Sequence, residues 1–144
     1  MRQVPNWSQY FMAMAETAAT RSKDPATQVG AVVVSKNNRL LGCGYNGMPE
    51  GYVEDPAIWE RPVKYDHVCH AELNAILNCE KPPVDGKVFV TLFPCKQCAK
   101  VIAAARIKKV YYKNDTLDGR DFLDPVSLDI FKRASIEVTQ VKGS

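Results

Sequence analysis

The chain has 144 residues, 46% of them apolar and 24% charged, with a net charge of +3. That suits one soluble domain, read here as residues 1–144, and neither the charge nor the scattered cations argue for nucleic acid. No apolar run approaches the roughly 20 residues of a membrane span, the N-terminus has no signal-peptide pattern that would suggest export, and an odd count of five cysteines favours reduced thiols over a disulfide framework.

The first element predicted is an amphipathic helix from Asn6 to about Arg21. Trp7, Tyr10, Phe11, Met14, Ala15 and Ala18 recur at helical spacing and are expected to face the core. Pro25 stops anything helical before it, leaving R-S-K-D-P (21–25) as a polar loop. Residues 29–35 are rich in valine and read as a strand, and residues 39–45 read as its hairpin partner. Lys36, Asn37 and Asn38 form the turn between them. Gly42 and Gly44 in the second strand mark close approach of a ligand or of another backbone.

Residues 46–68 have no periodicity. They hold five acidic side chains, among them Glu50 and Glu54, and are expected to form an ordered active-site or regulatory flap. A second helix over 70–78 should bury Leu73, Ile76 and Leu77. A buried strand is expected over 87–92, and a third helix opens at Pro94 and runs to about 105. A strand over 107–112, a polar loop over 115–124, a helix over 125–134 and a strand over 136–141 complete the chain. After the hairpin, strands alternate with helices. The expected fold is therefore a three-layer α/β/α sandwich around a five-stranded mixed sheet.

His70, Cys95 and Cys98 are donors of the kinds zinc prefers. Cys95 and Cys98 lie three residues apart at a helix start, so their side chains share a face, and the positive end of that helix favours thiolates. Three protein ligands leave a fourth position for a reacting water, the arrangement of a catalytic zinc. Glu72, two residues after the histidine, is then a proton shuttle and not a ligand. Cys69 is assigned a small apolar role and His67 a surface or hydrogen-bonding role, with a second metal at these two as the alternative. Cys43 and Cys79 are read as core thiols.

H-x-E followed by P-C-x-x-C is the general zinc deaminase signature. The wider blocks go further. R-S-K-D-P-x-x-Q-V-G-A (21–31), G-Y-N-G-M-P (44–49), C-H-A-E-L-N-A-I (69–76) and L-F-P-C-x-x-C-A-K (92–100) resemble deoxycytidylate (dCMP) deaminases. The resemblance implies a cytidine-deaminase-like fold, hydrolysis of dCMP to dUMP and ammonia for thymidylate synthesis, and a homohexamer. It further implies activation by dCTP and inhibition by dTTP, with Mg2+ on the regulatory nucleotide. The reduced thiols point to a cytoplasmic enzyme, in the host cytoplasm if the chain is viral, and the composition points to neither membrane nor nucleic acid as a partner.

Carried over to this sequence, the resemblance makes His70, Cys95 and Cys98 the Zn2+ ligands and Glu72 the shuttle. Asn46 and the backbone of Ala71 would hold the sugar and base edge. Ser22, Lys23 and Arg120 are the candidates for the 5′-phosphate. Ala26 stands where many bacterial relatives have an arginine, and Arg120 is its expected substitute. The regulatory nucleotide would involve Arg39, Gly42, Gly44, Glu50, Glu54 and Lys64 beside a subunit interface. The competing readings are a zinc deaminase acting on free cytidine or on tRNA adenosine, and a nucleotide-sensing or structural zinc protein without catalysis.

Overall fold

A computed structural model describes residues 1–142; the last two residues of the expected domain lie outside the described ones. Helix α1 (Trp7–Ala19) leads into the hairpin β1 (Gly30–Val34) and β2 (Leu40–Tyr45). Two short 3-10 turns, Pro56–Trp59 and Val63–Asp66, lie in the flap. Then follow α2 (Ala71–Leu77), β3 (Lys87–Leu92), α3 (Lys96–Ala104), β4 (Lys109–Asn114), the small ribbon β5 (Thr116–Leu117) and β6 (Arg120–Asp121), α4 (Pro125–Arg133) and β7 (Glu137–Gln140).

The five-stranded sheet has the order β2-β1-β3-β4-β7. β1 runs antiparallel to β2 and to β3, whereas β3, β4 and β7 are parallel. The expected mixed sheet and three layers are therefore present. The hairpin turn uses Asn38 at φ 63°, a conformation asparagine tolerates. The segment read as a polar loop, 115–124, instead forms the β5–β6 ribbon. No helix among the described residues is long and apolar enough to cross a membrane.

Each face of the sheet has its own core. On one side Phe11, Met12 and Ala15 of α1 pack on Val32, Val34 and Phe89. On the other, Ala71, Ala75, Ala99, Ile102 and Phe131 of α2, α3 and α4 pack on Val33, Val88, Val90 and Val110. Each buried valine or larger side chain contributes about 1.5–3 kcal/mol. The valine runs are thus what fixes the sheet beneath the helices.

The predicted buried stripe of α1 is partly misplaced. Met12 is buried, whereas Trp7 and Tyr10 are 57% and 43% exposed; the first turn of α1 carries its aromatics outward, and Trp7 stacks on Phe11 with ring centres 5.7 Å apart.

Helix α2 departs further from its expected pattern. Its buried side chains are Ala71, Glu72 and Ala75, and Leu77 is 69% exposed. The glycines of β2 explain this. A Cβ at Gly44 would sit 2.5 Å from the Ala75 backbone nitrogen, and one at Gly42 would sit 2.5 Å from the Ala75 carbonyl oxygen. Bare glycines let the helix backbone lie against the strand, and only alanines fit in the seam. The close approach marked by these glycines is therefore made by α2. On the face that α2 covers, these glycines leave no room for a nucleotide.

Cys43 is exposed, a correction to its reading as a core thiol. It alternates with the two glycines on the edge strand, so its side chain leaves the face that α2 covers. Cys79 is half-buried and packs against the α2–α4 side of the core, where burial pushes its thiol pKa up.

Candidate active site

His70 is the N-cap residue of α2, and Cys95 is the N-cap residue of α3. Cys98 is the third residue of α3. Helix α3 thus starts two residues later than Pro94. That proline is fully buried, and its carbonyl accepts a hydrogen bond from Ser127 Oγ of α4 at 2.9 Å. Asn74 ties α2 to the end of β2 by donating from Nδ2 to the Tyr45 carbonyl at 2.8 Å. Two helix starts are thereby held together at the ends of the strands, beside the C-terminal end of the central strand β3.

The three donors converge. His70 Nδ1 lies 3.4 Å from Cys95 Sγ and 3.3 Å from Cys98 Sγ. All three donor atoms fall within 4.8 Å of one another. A tetrahedral zinc with ordinary Zn–S and Zn–N distances places nitrogen and sulfur ligands about 3.6 Å apart. Two thiols and an imidazole at these separations fit that ion and leave one position free. Cys69 stays outside the cluster and pairs through its backbone with Gly47. His67 instead meets the Tyr52 hydroxyl at 2.9 Å across Nδ1.

The electrostatics agree with a metal centre. Cys95 is held down to about 4, first by the hydrogen bond with Cys98 and, against the effect of burial, by His70. Cys98 is pushed up by the Cys95 thiolate beside it and by burial. His70 is raised chiefly by its hydrogen bond with Cys95. These groups share protons that a divalent cation replaces on binding. Glu72 is 4% exposed, and burial pushes its carboxyl up to about 7 against the pull of His70.

A cavity of about 240 Å³ opens over this cluster. His70, Glu72 and Cys95 line it together with Ala71, Asn46 and Phe93. Arg61, Lys64, Arg120 and Phe122 also line it. Arg120 lies on β6 with its guanidinium 5.1 Å from the Phe122 ring centre. Of the phosphate candidates, the structure brings only Arg120 to this cavity. Ser22 lines a neighbouring groove and donates to the Asn46 carbonyl at 2.8 Å. Lys23 is exposed and pairs with Glu54 at 3.3 Å.

Asn46 is buried and held on three sides. Its Oδ1 accepts from the Val29 N–H at 2.8 Å, and its Nδ2 donates to the Thr27 carbonyl at 2.8 Å and to Asp24 Oδ2 at 3.4 Å.

The residues grouped for a regulatory nucleotide do not come together within one chain. Arg39 lies at the turn of the hairpin, and the flap leaves from its other end. The length of β2 separates them by roughly 20 Å. Lys64 is buried, pairs with Asp24 at 2.9 Å and lines the catalytic cavity, so its ammonium is already committed. Glu54 is shared between Lys23 and the Trp59 indole N–H. Glu50 is exposed.

Sequence reasoning missed Arg61, Phe122 and the Asp24–Lys64 pair. Arg61 sits in an aperiodic stretch with nothing local to distinguish it. Asp24 and Lys64 are joined only by the folded flap.

A metal-binding deaminase centre is the class this fold and donor set define. Residues 5–114 match the cytidine and deoxycytidylate deaminase zinc-binding region, and the chain belongs to that family. It is 48% identical over 122 residues to the deoxycytidylate deaminase of Homo sapiens, a match covering 80% of this chain and 68% of that protein. It is 41% identical over 142 residues to an uncharacterized deaminase of Aliivibrio fischeri, covering 94% of each. Among solved structures it resembles the dCMP deaminase of cyanophage S-TIM5 in complex with dCMP and dUMP. There the TM-score is 0.76 at 30% identity, over 97% of this chain and 100% of that one.

Proposed function

We propose that this protein hydrolyses dCMP to dUMP and ammonia, supplying thymidylate synthesis. The observation that carries the reading is the buried Glu72 carboxyl beside the His70–Cys95–Cys98 cluster, in a cavity that Arg61 and Arg120 also line. Zinc, when bound by His70, Cys95 and Cys98, supplies the Lewis acidity that makes water nucleophilic near neutral pH.

The protein's own groups carry the protons. Glu72 takes one from the attacking water, hands it to the ring nitrogen next to the reacting carbon, and returns a proton to the departing amine. One C–O bond forms, one C–N bond breaks, and ammonia leaves. Glu72 is buried beside the metal donors and lines the cavity, where a carboxyl can give and take a proton. Asn46 and the Ala71 backbone meet the sugar and base edge. Arg120, joined by Arg61, meets the 5′-phosphate with fixed N–H donors.

The same reading includes a homohexamer, activated by dCTP and inhibited by dTTP with Mg2+ on the effector. The support is the family resemblance, together with the edge position of β2, where Leu40 and Leu41 are exposed and available to another copy. Arg39 and Glu50 remain candidates there, as parts of a site completed between chains.

Ammonia release from dCMP, deoxycytidine and dCTP, each with and without dCTP or dTTP as effector, tests the whole reading. Turnover of dCMP with saturation curves that change shape is expected. Curves indifferent to both triphosphates would remove the regulation, and an inert dCMP would remove the reaction.

A further inference from the structure

The flap leaves the body at Gly47 and returns at Cys69, and these two residues close its base through backbone hydrogen bonds of 2.8 and 3.0 Å. Between them one side chain is buried. Lys64 is 4% exposed and is the one buried cation among the described residues. Its ammonium donates to Asp24 Oδ2 at 2.9 Å and to Oδ1 at 3.2 Å. Asp24, also 4% exposed, lies on the R-S-K-D-P loop. Both partners line the catalytic cavity.

All the other contacts of Asp24 go to the same neighbourhood. Oδ1 accepts from the backbone N–H groups of Ala26 at 2.8 Å and Thr27 at 3.2 Å, which curls the loop. Oδ2 accepts from Asn46 Nδ2 at 3.4 Å. The Thr27 carbonyl, placed by that curl, takes the second proton of the same amide at 2.8 Å. The Asn46 amide therefore spends both donors and one acceptor position on the protein. What remains for a ligand is one lone pair of Oδ1.

Stability alone is a weak reason for such a pair, because two charges taken out of water regain little more than their hydration when they meet. The position of the pair gives a better one. We propose that Asp24 is a positioning residue of this active site: by clasping Lys64 it holds the flap over the cavity, and by accepting from Asn46 it fixes that amide as a hydrogen-bond acceptor toward the substrate. The flap carries Arg61 to the cavity, so one carboxylate sets two groups that meet the nucleotide. Glu72 and the metal donors stand on α2 and α3 and do not depend on the clasp. This inference rests on the reading of the cavity as a nucleotide site.

The test uses the full-length, zinc-loaded protein and the double variant Asp24→Asn/Lys64→Met, which removes both charges and strands neither. Its zinc content should match wild type. Its amides over residues 56–66 should exchange about tenfold faster, and KM for dCMP should rise about tenfold or more while kcat changes less. Lys64→Gln, which leaves the buried Asp24 carboxylate without its counter-charge, is the second variant and should show both changes at least as strongly. A folded, zinc-loaded variant with wild-type flap exchange, or with KM within about twofold of wild type, overturns the proposal. If wild-type protein leaves dCMP untouched, the reading of the reaction fails by itself. Flap exchange needs no turnover and still decides whether the clasp holds.

Discussion

In the inner region of the site, His70, Glu72, Cys95 and Cys98 stand at two helix starts that rest on a sheet of buried valines, with Glu72 and Cys98 themselves buried. At its outer parts, Arg61 and Arg120 stand on a flap and a two-strand ribbon, held by an ion pair and by contact with Phe122. The first region is built from short sequence spacings and apolar packing. The second is built from charges brought together over long stretches of chain. Under the proposed function the difference separates two tasks: the inner groups would carry out the hydrolytic deamination, and the outer ones would select what is offered to it.

Glu72→Gln should break the inner region alone. The amide keeps the shape and the metal donors but cannot shuttle protons, so kcat should fall by about 10²–10⁴-fold with zinc content unchanged. A variant that loses zinc along with activity would show that Glu72 supports the metal and not the proton path.

Arg120→Ala and Arg61→Ala should each break the outer region alone. A charge-assisted hydrogen bond to phosphate is worth roughly 1.5–3 kcal/mol, so KM for dCMP should rise about tenfold to a hundredfold while turnover of deoxycytidine stays put. Equal losses on both substrates would mean that these arginines act on the base or on the fold.

A third change tests what supports the inner region. In Gly44→Ala the new Cβ meets backbone atoms of α2 at 2.5–2.9 Å, with no flexible side chain to give way. The expected cost is about 1–3 kcal/mol, read as a lower urea midpoint. An unchanged midpoint would contradict the account of how α2 sits on β2.

The smallest effect should come from acid. Burial works to raise Asp24, but Lys64 and the N–H groups of Ala26 and Thr27 outweigh it and hold the carboxyl below its ordinary 3.8. The stability contributed by its ionisation is then fully present above about pH 4 and lost as pH falls through the depressed folded value. Below about pH 4 wild type should lose stability more steeply than Asp24→Asn, measured as midpoints in a pH series; parallel profiles would contradict the pairing.

The same division decides what could be read from the sequence. The sheet, its hairpin and the alternation of later strands follow from valine runs and turn residues, signals contained within a few positions. His70, Glu72, Cys95 and Cys98 were legible for the same reason. The buried side of α2 was not, because Leu77 looks like core, whereas the glycines of a distant strand set Ala71 and Ala75 against the sheet. Lys64 is read from the sequence as a cation for a regulatory nucleotide, and only the folded flap brings it onto Asp24; Arg61 carries no pattern at all. Ser22 and Lys23 lay on the right loop, but that loop turns Asp24 to the cavity and sends Lys23 outward to Glu54.

The division between reaction and substrate is tested most directly by one ratio, kcat/KM for dCMP over kcat/KM for deoxycytidine in the zinc-loaded wild-type protein. The account predicts strong preference for dCMP, about a hundredfold or more if two arginines engage the phosphate. Equal values for the two substrates would contradict it, because the outer cations would then play no part in choosing what Glu72 and the metal donors act upon.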